Sequence, residues 1–413
     1  MAKSVSDLPH NLVAFVNDPV SEQVIWNVIR EMNMAYAEAK MGSISDVFEF
    51  LKTSRSPKVL IVDVSNSELP LGDVEKIKEY SAPNISIIVI GSRNEVGLFR
   101  DLKAAGVVDY IVKPLSNVLL KRALEEANGV KSGVSKEGKL VHVMSATGGA
   151  GATTVVANVG WLLANRRFKR TLVMDLDFLY GTLNLLLDVK SENAYLDILE
   201  SPDKIDDYFT ETILRKCTQR LYYLGGLCDL VRGMQVDINA FDALMATLKK
   251  QFNYILVDAQ RDVNEVNKVS MRKAECFVIM VEMTMASAQN AARLLEFLSV
   301  EHSSKKIVII DNKNGLSSSG AITKESFEEV IGRKIDYGMP LDETITLAAA
   351  NIGQPLVVSE GPLTEILNEI ADDILGKNEN QAIAQAISER EGINFEKIKN
   401  NVLSMIGNIM KKL

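Results

Sequence analysis

The sequence predicts an α/β protein of two consecutive domains, each a parallel sheet flanked by helices, the second larger and doubly wound. Three observations carry this. Short apolar strands alternate with amphipathic helical stretches over residues 12–130, the pattern of a parallel sheet with helical crossovers. A glycine-rich run at 147–154, T-G-G-A-G-A-T-T, separates an apolar strand at 140–144 from a helical stretch at 155–165, as a phosphate-binding turn between strand and helix would. Two later apolar strands, 171–177 and 252–258, end in aspartates, and a parallel sheet gathers such ends along one edge. A length of 413 residues exceeds what one core usually organises. The expected boundaries are a first domain at 1–130, a small, polar, glycine-rich linker at 131–139, a second domain at 140–376 and a helical tail at 377–413.

In the first domain the clearest strands are 12–16, 59–62, 85–90 and 107–112. The run Ala104-Ala105-Gly106-Val107-Val108-Asp109-Tyr110-Ile111-Val112-Lys113-Pro114-Leu115 resembles the end of a two-component receiver domain. That resemblance implies a flavodoxin-like fold, a phosphoacceptor at Asp63 and a phosphate-pairing role for Lys113. The rest of the pocket departs from the family. After the first strand stand Asn17, Asp18 and Pro19, which leave the metal positions short of charge, and the hydroxyl expected at the fourth strand falls on Ser92, one place beyond Gly91. Phosphotransfer to a carboxylate depends on a metal to neutralise the phosphate. The expectation is a degenerate receiver that serves as a docking or dimerisation surface.

In the second domain Gly148, Gly149 and Gly151, with Ala150 between them, let backbone N–H groups approach a phosphate at a helix N-terminus. A standard loop adds a lysine before its Ser/Thr, and a deviant form adds an earlier one; here those positions hold Ala152 and Thr147. Thr153, followed by Thr154, keeps the hydroxyl that suits Mg2+, so binding is expected and transition-state charge stabilisation is weakened. Asp175, Asp177 and Asp258 are expected to converge beside the loop. The alternative is a glycine turn without a ligand and strand-end aspartates acting as caps. Arg261 is expected either to reach phosphate or to form a surface salt bridge.

With these motifs nearly the whole chain resembles the MinD/ParA-type ATPases of P-loop NTPase fold, and among them the TadZ/CpaE proteins of tight-adherence (Flp) pilus assembly. The resemblance implies a switch role at Asp177, a Walker B carboxylate at Asp258 with Thr153 and Asp175 near the metal, and an adenine-reading Asn312. It also implies a base-pocket loop through Pro340 and an A-x-N-x-G-x-P-L signature over 349–356. ATP and Mg2+ follow as cofactors, and a homodimer as the assembly. The implied partners are pilus secretion proteins, a secretion ATPase or a membrane scaffold. The location implied is cytoplasmic, polar and peripheral to the inner membrane. Without either lysine, hydrolysis should be slow or absent. A cycling ATPase, a phosphorylation-controlled response regulator and a scaffold with both sites decayed are the competing expectations.

A net charge of −8 argues against broad nucleic-acid binding. The basic run Arg166-Arg167-Phe168-Lys169-Arg170 is expected to complement a helix C-terminus rather than hold an anion. Three cysteines, Cys217, Cys228 and Cys276, show no C-x-x-C spacing and suggest neither a zinc site nor a disulfide framework. No apolar run approaches a membrane span, and residues 1–10 carry no apolar signal segment. In the tail, Ile398, Val402, Met405, Ile406, Ile409, Met410 and Leu413 form an apolar stripe among lysines. It is suited to packing, partner binding or peripheral membrane contact.

Overall fold

Strands with apolar side chains on both faces need helices on both faces, and the chain supplies them twice. The structure, a computed structural model, describes residues 10–129, 137–191, 196, 199, 212–229, 236–314 and 322–376; the expected tail at 377–413 and most of the linker lie outside these. The first sheet comprises β1 (Leu12–Val16), β2 (Ala37–Met41), β3 (Val59–Asp63), β4 (Ser86–Gly91) and β5 (Asp109–Val112), in the order β2-β1-β3-β4-β5. All its pairings are parallel. The crossovers are α1 (Pro19–Glu31), α2 (Ile44–Thr53), α3 (Pro70–Tyr80) and α4 (Val96–Ala104), and α5 (Asn117–Gly129) follows β5. This is the flavodoxin-like order, whose switch point lies between β1 and β3. The sequence reading did not find β2: its Ala-Glu-Ala-Lys-Met run is an edge strand with a charged, half-exposed face, a common way to blunt an edge.

The larger sheet begins with β6 (Lys139–Ser145), α6 (Ala152–Asn165), β7 (Thr171–Asp175), the short hairpin β8 (Arg215–Lys216) and β9 (Leu221–Leu224), then α7 (Ile238–Gln251) and β10 (Tyr254–Asp258). It continues with α8 (Glu265–Lys273), β11 (Cys276–Val281), α9 (Met285–Glu301), β12 (Lys306–Asn314), α10 (Lys324–Ile331), β13 (Tyr337–Pro340), α11 (Glu343–Ile352) and α12 (Pro362–Ile374). The order is β13-β12-β11-β6-β10-β7-β9-β8, parallel except where β8 meets β9. Both faces carry their own apolar core, one against α7 to α10 and the other against α6 and α12. After β7 the apolar run at 183–187 includes a short 3-10 turn, Leu185–Leu187.

The basic run after α6 has a different use from the one expected. Arg167 pairs with Asp372 of α12 at 2.7 Å, and Arg166 donates to the Val357 carbonyl. Arg170 lies over the rings of Tyr222 and Phe252, 4.7 and 4.9 Å from their centroids. Lys169 reaches the first domain, donating to the Glu79 carbonyl and carboxylate at 2.9 and 3.1 Å. Beside it Phe168 meets the Tyr80 ring at 5.6 Å, and Asn253 Nδ2 donates to Ser81 O at 2.9 Å. The centre of this contact is Arg220, just before β9, which is buried. Its guanidinium donates to Leu51 O, to Tyr80 O at 3.1 Å and to Phe168 O at 2.5 Å. Leu51 and Tyr80 lie in the last turns of α2 and α3, where carbonyls lack intrahelical partners and the dipole favours a cation.

Candidate functional site

Between β6 and α6 the loop turns through two left-handed residues, Gly149 (φ +79°) and Gly151 (φ +94°), a region L side chains enter only with strain. A Cβ at Gly151 would stand 2.5 Å from Asn312 Nδ2, so the loop has no room for another residue there. Gly151 is the N-cap of α6 and makes no side-chain cap. The first N–H groups of α6 therefore border a cleft of about 780 Å³ lined by Gly148, Gly149, Gly151, Ala152, Thr153 and Thr154 on one side and by Asp177, Asp258 and Arg261 on the other. Thr147 Oγ1 is buried without a hydrogen-bond partner.

The carboxylates gather because β10 lies between β6 and β7, with Asp258 in register beside Asp175. Burial, and then the neighbouring Asp175, push Asp258 up to about 8, although the Thr153 hydroxyl donates to it and opposes the shift. Asp175 is pushed up to about 6, mainly by burial, despite accepting from the N–H groups of Asp177 and Leu183. Asp175 is set behind the cleft wall, bonding Asp177 N at 2.9 Å and Leu183 N at 3.3 Å, and thus fixes the turn that carries Asp177. Asp177 Oδ1 accepts from Gln260 Nε2 at 2.8 Å and from Tyr180 N at 2.9 Å.

The residues present fit a polyphosphate with Mg2+. The glycines leave a cradle that a Cβ would strain or fill, a buried hydroxyl lacks a partner, and among the described residues no lysine or arginine forms an ion pair with the crowded Asp175 and Asp258. Among the described residues no group of three or more His, Cys, Asp or Glu forms a metal cage. Mg2+ in such sites relies on one or two carboxylates together with substrate oxygens and water.

A family model described as an AAA domain matches residues 138–310. The septum site-determining protein MinD of Synechocystis is 26% identical over 228 residues, covering 54% of this chain and 83% of that protein. MinD of Bacillus subtilis is 24% identical over 247 residues, 58% of this chain and 90% of that protein. The crystal structure of a ParA family ATPase from Chlorobium tepidum superposes with a TM-score of 0.53 at 22% identity, covering 57% of this chain and 98% of that one. The larger domain is of the MinD/ParA-type ATPase superfamily.

Within this MinD/ParA-type domain four expected site residues do not line the cleft: Ala150 is buried in the loop, Asp175, expected near the metal, is set behind the wall, and Asn312 and Pro340 lie outside it. Asn312 Nδ2 donates to Ala150 O at 3.0 Å and its Oδ1 accepts from Lys313 N at 2.9 Å. The side chain expected to read a base is here hydrogen-bonded to the glycine loop at Ala150. Pro340 closes β13 beside Asn314, and neither residue is among those lining the cleft. Sequence reasoning missed Gln260, which ties Asp177 to the end of β10, and Asn267 of α8; neither lies in a motif that would have marked it.

At the C-terminal edge of the first sheet, Lys113 Nζ contacts Asp63 Oδ2 at 2.5 Å and Asp18 Oδ2 at 2.6 Å. Asp63 Oδ2 also accepts from Asn17 N, and its Oδ1 accepts from the Ser65 N–H and hydroxyl. Burial works against charge on Asp63, but Lys113 and then Ser65 outweigh it and hold the carboxyl below its usual range. Burial likewise raises Asp18, yet Lys113 and Ser21 bring it down to about 2. Asp18 doubles as the N-cap of α1. Ser92 is exposed one residue past β4 and does not join this cluster. Among the described residues no helix is long and apolar enough to cross a membrane.

Proposed function

We propose that this protein binds ATP with Mg2+ in the glycine-loop cleft and acts, as a dimer, as a positioning or assembly factor for a Flp pilus secretion machine of the TadZ/CpaE kind. The observation that carries the nucleotide part is the lysine-free glycine loop facing Asp258, with Asp175 crowded behind it. Thr153 and Asp258 would hold Mg2+, with Asp175 fixing the turn behind them. The loop N–H groups would hold the phosphates, and Asp177 is placed by Gln260 at the cleft wall. Bound Mg2+ would supply the positive charge that offsets the phosphates and the two carboxylates.

With Ala152 and Thr147 at the lysine positions, little charge is available for a transition state, so the protein works as a switch that turns over slowly or not at all. The pilus assignment draws on the sequence resemblance, supported by a domain of flavodoxin-like order placed ahead of the MinD/ParA-type domain.

Titration calorimetry of the full chain with MgATP tests the first part, beside Gly151→Asp, which forces a side chain into left-handed backbone and against Asn312. Binding by the parent that is lost in the variant supports the reading; no binding by the parent removes it. In a piliated host, deletion of the gene should abolish surface Flp pili and Gly151→Asp should fail to restore them. Undiminished piliation in the deletion strain refutes the assembly role. Fast, partner-stimulated hydrolysis lost in Asp177→Ala would favour a cycling ATPase instead.

A further inference from the structure

We infer that Arg261 supplies to the bound phosphates the positive charge that the glycine loop lacks, and that Asn267 is the residue that positions it. The inference rests on the MgATP reading above and names the group that makes a lysine-free loop workable.

Arg261 is the one lysine or arginine among the described residues lining the cleft. Its guanidinium stands over the start of the loop, with Cζ 3.8 Å and Nη2 3.9 Å from the place a Cβ on Gly148 would occupy. The surface salt bridge that the sequence left open does not form with any described residue, so the guanidinium at the cleft wall keeps its N–H donors available to an anion. Around it the wall presents the carboxylates of Asp177, Asp258 and Asp262. Backbone N–H groups offer only partial charges to a polyphosphate, whereas a guanidinium offers a full charge in a fork that matches phosphate oxygens.

The segment that carries Arg261 is held on both sides. Asn267 of α8 is buried, at 1% exposure. Its Nδ2 donates to Gln260 O at 3.1 Å and to Asp262 O at 2.6 Å, the carbonyls immediately before and after Arg261. Its own N–H is accepted by Asn264 Oδ1 at 2.9 Å, the N-cap of α8. Gln260 in turn reaches Asp177. The turn after β10 is thus tied to the helix behind it and to the switch aspartate beside it, which leaves Arg261 a short, fixed base. A lysine in the loop would deliver charge from α6; here it arrives from the end of β10.

The test is MgATP calorimetry on the full chain at low and moderate salt, with Arg261→Ala, Arg261→Lys, Asn267→Ala and the double alanine variant. Arg261→Ala should weaken binding by roughly tenfold or more and flatten its salt dependence, and Arg261→Lys should recover part of the loss. Asn267→Ala should cost less alone and nothing further once Arg261 is alanine, a coupling that a merely structural asparagine would not show. Parent and Arg261→Ala binding equally well overturns the role of Arg261 while the MgATP reading stands. Additive losses in the double variant overturn the role of Asn267. No binding by the parent overturns the MgATP reading and this inference together.

Discussion

Replacing Asp258 by asparagine should make the nucleotide-free protein more stable. Asp258 and Asp175 end neighbouring strands side by side, and Asp258 is pushed from 3.8 to about 8, first by burial and then by Asp175. The folded state therefore holds this proton more tightly than the unfolded chain. Between pH 3.8 and 8 the native state binds more protons, so stability falls as pH rises through that window. At pH 7 about three units of the shift are expressed, which at 1.36 kcal/mol per unit is about 4 kcal/mol, and at pH 5 about 2 kcal/mol. Asparagine keeps the shape and an acceptor for the Thr153 hydroxyl, and it carries no charge to bury. Urea denaturation of parent and Asp258→Asn without nucleotide or Mg2+, at pH 5, 6, 7 and 8, reads the difference. A gain that is absent at pH 7, or that does not grow with pH, would refute the argument. Added MgATP should stabilise the parent and leave the variant nearly unchanged.

Arg220→Ala should cost about 2–4 kcal/mol, because it strips charged hydrogen bonds from the part-buried carbonyls of Tyr80 and Phe168 and leaves the Leu51 carbonyl buried without this partner; limited proteolysis should then cut between the domains, and an unchanged pattern counts against the contact. Asp63→Asn should destabilise the first domain by about 1–3 kcal/mol, because Lys113 loses one of its two carboxylate partners and keeps Asp18, and acetyl phosphate should fail to label the parent at Asp63; labelling in Mg2+ would contradict a carboxylate occupied by Lys113. His142, buried with Nδ1 on Ser270 Oγ at 2.9 Å, is pushed down to about 3 by burial and by His302. Its unfolded form titrates near 6.5, so its contribution is intact above that pH and is lost as pH falls toward 3. His142→Gln should show a shallower loss of stability between pH 7 and pH 5, and parallel curves would exclude this source.

The elements that frame the glycine cleft were legible because their sequence signals are local. A glycine loop between an apolar strand and a helix, and strands ending in Asp175 and Asp258, announce themselves within a few residues. β11 was overlooked although Cys276-Phe277-Val278-Ile279-Met280-Val281 is wholly apolar, since no polar group at its end drew attention to it. β2 was hidden because an edge strand tolerates charge. The partners of Arg166, Arg167, Lys169 and Arg170 come from α12, β9 and the first domain, separations that no local pattern encodes. Asn312 was recognised by its place at a strand end, yet its direction was set by the Ala150 carbonyl of the loop. Arg261 stood out by its charge, whereas the buried amide that orients it lies on a helix with no motif.

The contact around Arg220 also fixes a direction. Phe168, Lys169, Arg220 and Asn253 precede β7, β9 and β10, so the first domain rests on the edge of the sheet where those strands begin, and the glycine cleft opens on the edge where they end. A second copy can approach the cleft without displacing the first domain. Two copies joined cleft to cleft would carry their first domains outward at the two far ends of an elongated particle. In such a particle a neighbour engaged by both first domains would be held more tightly than by either alone, through the gain that linkage gives to paired binding.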